Sequence, residues 1–248
     1  MAIGVSFTNT AQRAVISNQQ YSVAFIGDAT FTGERQPLSY FNDANMPISG
    51  SGDPYYLYRI ESVYPPLAFI ELLSPQRFAI CSILNIEGHT WEIVVCGSVW
   101  TKIPKVKCFS RLVGQGKPGL VGLRIRDETG NRTWDSTEKM LLIRQKLDWT
   151  AYRDSSKGGA VQTQALTGIT NPYLMSCRGA TRTGENGVKL SNDSRFHIRS
   201  YSLGWTYFEG QISRLSRATE AYSYRDDYNP GWNSFPEDRC YIINGNDY

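Results

Sequence analysis

The chain has 248 residues, 41% of them apolar and 20% charged, with a formal net charge of +3. These values exclude a disordered chain and allow a sizeable core, and so small a net charge gives no electrostatic pointer to a partner. Aromatics are plentiful and 22 glycines accompany them, a balance that favours strands and turns over helices.

The elements run as follows. Residues 3–9 and 13–17 predict a first hairpin, and residues 21–26 a third strand. Residues 33–54 are rich in Gly, Pro, Asn, Asp and Ser and read as a long loop, the kind of segment that often forms a contact surface. Asn42, Asp43 and Asn45 cluster oxygen donors there without EF-hand spacing, and a turn accounts for them. Strands resume at 55–63, 67–73, 77–84 and 90–99, the last two flanking the turn signal at 85–89. Residues 105–113 give another strand. Residues 114–119 then place three glycines and a proline in six positions, the best linker in the chain. It divides two expected domains, 1–117 and 120–248.

Beyond the linker, Leu123 and Ile125 alternate with Arg124 and Arg126, which predicts a strand with one apolar and one charged face. Asp127-Glu128-Thr129-Gly130-Asn131 breaks the alternation, and Gly130 is expected to take the positive φ of a tight reversal. The return strand holds Arg132 to Trp134, so residues 122–136 read as a hairpin. Setting Gly4 over Gly122 aligns the first hairpin with it without a gap. Val5 falls on Leu123, Phe7 on Ile125, Asn9 on Asp127, Ile16 on Trp134 and Ser17 on Asp135. An offset of nearly half the chain is the spacing of a duplicated domain, not of a solenoid repeat.

The apolar run at 140–143 is short and lacks a helical period, so a strand is expected, although Asp135-Ser136-Thr137-Glu138 before it has the form of a helix cap. Strands are expected near 160–166, 173–177, 195–201, 205–209 and 240–243, with one short helix at 211–222. Short strands with turn signals every 8–12 residues define an all-β class of β-sandwich domains.

The search for chemistry offers little. There are two histidines, His89 in a predicted turn and His197 on a predicted strand, and no nucleophile elbow, Walker loop or dinucleotide fingerprint. Asp226 and Asp227 sit among Tyr222, Tyr224, Tyr228 and Trp232. That set could hold a sugar between carboxylates and aromatic faces, or could be a tyrosine-rich protein interface. Lys102, Lys105, Lys107, Arg111, Lys117, Arg124 and Arg126 form a basic stretch with no acid between them. Only Phe109 stands near as a stacking aromatic, so the solvent face of strands is preferred over nucleic-acid binding. The five cysteines are odd in number and not spaced as a metal clip, so neither a disulfide framework nor a metal site is expected. No cofactor is expected. The N-terminus lacks the pattern of a signal peptide, and no apolar run approaches the ~20 residues that span a bilayer, so membrane insertion is not expected.

The hairpin residues resemble a family. Small virion proteins from the tail-tip and tail-fibre region of long-tailed bacteriophages begin with a Met-Ala-x-Gly strand and carry a Gly-Leu-x-Val-x-Asp-x-x-Gly-x-x-x-Phe-Asp-Ser hairpin. Gly122 to Ser136 is similar to that pattern, with Ile125 for Val and Trp134 for Phe. Gly4 to Ser17 resembles it more distantly, with Gln12 in place of the turn glycine and Ser17 in place of Asp. The resemblance implies a non-enzymatic structural component of the tail, made in the host cytoplasm and assembled with other tail proteins. It also implies a homo-oligomer within the virion and contact with a host-surface glycan or receptor. The interface candidates are Tyr40, Phe41, Tyr55, Tyr56, Tyr222, Tyr224, Tyr228 and Trp232. The second reading is a carbohydrate-binding or glycan-cleaving domain using Asp226 and Asp227.

Overall fold

The computed structural model describes residues 6–8, 14–17, 21–35, 40–41, 47–48, 55–74, 76–97, 102–113, 121–149, 152–153, 162–176, 182–189, 196–225, 234–235 and 238–248. Most of what is described is strand. In the first half these are β1 (Ser6–Thr8), β2 (Ala14–Ser17), β3 (Val23–Asp28), β4 (Thr30–Arg35), β5 (Tyr40–Phe41), β6 (Pro47–Ile48), β7 (Tyr55–Glu61), β8 (Leu67–Glu71), β9 (Gln76–Glu87), β10 (Thr90–Gly97) and β11 (Val106–Arg111). In the second half they are β12 (Arg124–Arg126), β13 (Arg132–Asp135), β14 (Gln145–Trp149), β15 (Tyr152–Arg153), β16 (Thr163–Ala165), β17 (Pro172–Ser176), β18 (Arg182–Lys189), β19 (Phe196–Phe208), β20 (Gln211–Arg225), β21 (Ser234–Phe235) and β22 (Asp238–Asn244). A short 3-10 turn, Gly245–Asp247, follows.

The expected all-β class holds. β5 and β6 lie within the expected loop, β14, β15, β18 and β21 stand where no strand was expected, and two expected elements take another state. The helix expected at 211–222 is the strand β20, because Glu209 and Gly210 turn the chain straight back and β20 pairs along the whole of β19. Residues 140–143 form no full strand. Only Met140 bridges, to Ala24.

Two sheets carry the fold. One has six strands in the order β14-β22-β17-β8-β11-β3, the other runs β16-β20-β19-β9-β10-β7-β4 with β18 added beside β19. Each sheet takes strands from both sides of residues 114–119. In the six-stranded sheet the order is palindromic. Three strands of the second half (β14, β22, β17) meet three of the first (β3, β11, β8) at an antiparallel β8–β17 junction. In the larger sheet the corresponding junction is β9–β19.

The sandwich core lies between the sheets. Ala68, Ile70, Val106, Cys108, Leu147, Leu174, Cys240 and Ile242 of the smaller sheet join Tyr56, Tyr58, Phe78, Ile93, Val95, Trp205 and Ile212 of the larger. Fully burying one such aromatic or aliphatic side chain stabilises by roughly 1.5–3 kcal/mol. Because side chains alternate along a strand, the other face of the smaller sheet is apolar as well, and Phe69, Phe109, Tyr173 and Ile243 form a second cluster there. Phe25, Leu141 and Tyr248 pack onto it, with the Phe109 and Tyr248 ring centroids 4.7 Å apart.

That second cluster requires a curled sheet. Lys139 and Leu141 bond the outer edge of β3 through Phe25 N to Lys139 O and Leu141 N to Val23 O, both 2.8 Å. Four residues on, the chain is in β14 at the other end of the sheet. Flat, those ends would stand about 24 Å apart, five strand spacings of about 4.8 Å. Four residues reach about 14 Å at most. The sheet therefore bends until its two edges meet across residues 139–144.

Candidate functional site

The family-like stretch folds as a small two-stranded sheet of its own, β12 with β13. Arg124 pairs with Asp135, Ile125 with Trp134, and Arg126 with Arg132 across a bulge between Ile125 and Arg126. Gly130 takes φ +84°, the positive value its turn requires. Asp127 closes the turn. Its carboxylate accepts from the Tyr21 hydroxyl, from Thr129 N (2.9 Å) and Oγ1 (2.8 Å), and from Asn131 N (2.8 Å). The Tyr21 hydrogen bond, helped by those from Thr129 and Asn131 and opposed by desolvation, holds the carboxyl well below the usual carboxylate range. Gly122 has a second kind of reason. A Cβ there would stand 2.6 Å from Thr137 Cγ2 and 2.7 Å from Ser136 Oγ, and Ser136 Oγ is already committed to Leu123 N at 2.9 Å.

One side of this hairpin is locked by charge. Asp135 is fully buried and accepts from Arg124 Nε (2.9 Å), Arg132 NH1 (2.8 Å), and Thr137 N (2.9 Å) and Oγ1 (2.6 Å). Arg132 also reaches Glu138 (3.2 Å) and donates to Val113 O (2.6 Å). Burial pushes the Asp135 carboxyl up, but the hydrogen bonds from Thr137 and the two arginines outweigh it and hold the group well below its ordinary range. The cluster fixes the hairpin onto the first half of the chain, where Ser22 N donates to Thr133 O at 2.8 Å and Leu112 N to Ser22 O at 3.4 Å. Beside it, the Arg111 guanidinium lies over the Tyr21 ring at 3.1 Å and the Tyr64 ring at 4.8 Å.

The hairpin's leading edge is apolar and open. Val121 is fully exposed and Leu123 is 57% exposed, with Val113 also exposed. Of the two residues on the apolar face, Ile125 is buried and Leu123 is not. Arg132, Thr133 and Asp135 are buried beside Ile125, held by the ion cluster. The Arg-x-x-Asp-x-x-Glu spacing of Arg132, Asp135 and Glu138 was the available signal.

The N-terminal hairpin repeats this backbone. Ser6 pairs with Ser17, Phe7 with Ile16 and Thr8 with Ala14, with a bulge between Phe7 and Thr8. Under the alignment of Gly4 with Gly122, every pair and the bulge itself fall on their counterparts in β12–β13. β2 lies against β13.

The remaining candidates scatter. Tyr55 and Tyr56 lie in β7, 4% and 8% exposed, paired with Cys96 and Val95 of β10. They are core residues and present no surface, which corrects their expected interface role. The reason is packing on both faces of β7: Tyr56 joins the core between the sheets, and Tyr55 packs with Val94 and Leu57. Tyr40 and Phe41 form β5, paired to Ile48 and Pro47. Tyr222 and Tyr224 stand in β20 opposite Arg199 and His197 of β19. Tyr228, Trp232, Asp226 and Asp227 fall outside the described residues, as do Asn42, Asp43 and Asn45. The basic stretch does not form one open surface. Lys107 is buried, 3.1 Å from Asp28 and over the Phe25 and Tyr173 rings, Lys102 bonds Glu71 at 3.0 Å, and Arg124 bonds Asp135. Arg126 donates to Gly130 O at 2.7 Å. His89 is exposed in the β9–β10 turn. Burial pushes the Cys108 thiol up to about 12, which leaves it protonated and inert. Among the described residues no group of three His, Cys, Asp or Glu side chains is placed to hold a metal, and no helix is long and apolar enough to cross a membrane.

No family model matches this chain, and no curated protein or solved structure does.

Proposed function

We propose that the protein is a structural component of a bacteriophage tail tip or tail fibre, working by burying surface against neighbouring tail proteins. The observation that carries this reading is the β12–β13 hairpin. It bears the family-like residues, is held rigid by the Asp135 ion cluster, and turns Val121 and Leu123 to solvent. Apolar side chains held out on a fixed element suit a protein partner, because their burial then costs little ordering entropy.

The test is assembly. V121D and L123D should leave the purified protein's melting temperature within a few degrees of the parent and reduce its incorporation into tails, read by immunogold labelling of virions. Normal incorporation of both variants contradicts the reading. So does purified protein that cleaves glycans in a reducing-sugar assay, which would favour a glycan-cleaving domain.

A further inference from the structure

The two halves of the chain correspond far beyond their hairpins. Lys107-Cys108-Phe109 in β11 has its counterpart in Arg239-Cys240-Tyr241 of β22. Both cysteines are fully buried, and both preceding cations bond an aspartate directly across the strand pair, Lys107 to Asp28 at 3.1 Å and Arg239 to Asp148 at 2.9 Å. The β9–β10 and β19–β20 hairpins both close on two-residue turns that hold a glycine of positive φ, Gly88-His89 and Glu209-Gly210. In each, the residue after the next strand over donates to the turn, Ser62 N to His89 O and Leu166 N to Gly210 O, both 2.8 Å. Most telling is the junction at residues 139–141. Under the alignment of Gly4 with Gly122, Val23 falls on Leu141, and Val23 O accepts from Leu141 N. An antiparallel pair in which a residue faces its own counterpart is what a local twofold axis demands.

We infer that the chain is built as a fused dimer. Its two halves recognise each other through paired strand edges, as separate subunits would, and residues 114–119 act only as a tether. The interaction surface consists of the β8–β17 and β9–β19 edges and the Val23–Leu141 pairing, with Phe78 and Trp205 in ring contact across the β9–β19 junction, centroids 6.0 Å apart. The partner each half fits is another copy of the same half-fold. This inference is independent of the tail reading.

The experiment keeps the full chain. A specific protease site is inserted between residues 116 and 117, the folded protein is cut, and the product is run on gel filtration and unfolded in denaturant at several concentrations. The two fragments should co-elute at the position of the intact 28.0 kDa chain. Cutting should also turn a concentration-independent unfolding midpoint into one that rises with protein concentration. Fragments that separate under native conditions, or a midpoint that stays independent of concentration, overturn the inference. So does an insertion that prevents folding, since a tether tolerates added length.

Discussion

In β12–β13, Arg124, Arg132, Asp135 and Glu138 form a buried ion cluster. At the matching positions the first hairpin has Ser6, Ala14, Ser17 and Gln20. Asp127 and Gly130, which shape the second turn, are matched by Asn9 and Gln12. Even so, both hairpins share one register and one bulge. Register is therefore carried by the alternation of side chains and the length of the turn, which the two copies share. The ion cluster carries something else: in the second copy Arg132 anchors the hairpin to Val113, beside the backbone bond from Ser22 N to Thr133 O.

The comparison breaks most visibly at Asp135. D135A would take the shared carboxylate from Arg124 and from the buried Arg132, which keeps only Glu138, and should cost about 3 kcal/mol or more. S17A at the matching position should shift stability by no more than about 0.5 kcal/mol. Chemical denaturation of both variants checks this, and equal losses would mean that the hairpins are held alike.

Lys107 and Arg239 sharpen the comparison one strand further in. The Lys107 side chain is 8% exposed beneath aromatic rings, whereas Arg239 is 51% exposed and its aspartate 60%. K107A should cost about 2–3 kcal/mol by stranding packed rings and removing a buried cation's stem. R239A should change stability far less than K107A, as exposed pairs do. Gly130 comes next. G130V forces a β-branched residue to φ +84° and should destabilise by about 1–2 kcal/mol, against a smaller effect for Q12V. Thermal melts of the four variants give the order.

The smallest expected effect is that of pH. Asp135 and Asp127 are both held below their ordinary range in the folded protein. The unfolded chain therefore takes up their protons first, and their stabilisation is full above about pH 4 and fades as pH falls below it. The gap in stability between the parent and D135A should narrow from pH 7 to pH 3. A gap that widens would place the cluster's energy elsewhere.

The halves also differ in what flanks them. The outer edge of β7 carries β4, with Tyr56 and Glu34 paired. Its counterpart β16 exchanges side-chain bonds with β14, Gln145 Nε2 donating to Ala165 O at 2.9 Å and Gln164 Nε2 donating to Asp148 O at 2.8 Å. The second half also carries β20 at 15 residues against 8 for β10, and adds β18 beside β19.

Much of this was legible in the sequence. The all-β class, the turn at Gly88-His89, the positive φ at Gly130 and the hairpin repeat all follow from period-two alternation and turn residues. What escaped depends on distant partners. Ile212, Leu215, Ala218 and Tyr222 stand at helical spacing, but the strand state of β20 is decided by β19 across a two-residue turn. Tyr55 and Tyr56 stand next to a polar, Gly- and Pro-rich stretch, and only the packing on both faces of β7 reveals them as core. The mutual pairing of the halves lies in no local window, since Val23 meets Leu141 only after the sheet has curled.

The central claim is that two equivalent halves meet across a local twofold axis. Its most direct test is proton–proton contact mapping by NMR on the intact protein. Cross-strand backbone contacts should join Ala24 to Met140 at one junction and Ile70 to Leu174 at the other. Contacts confined within residues 1–117 and within 120–248, with none across either junction, would contradict it.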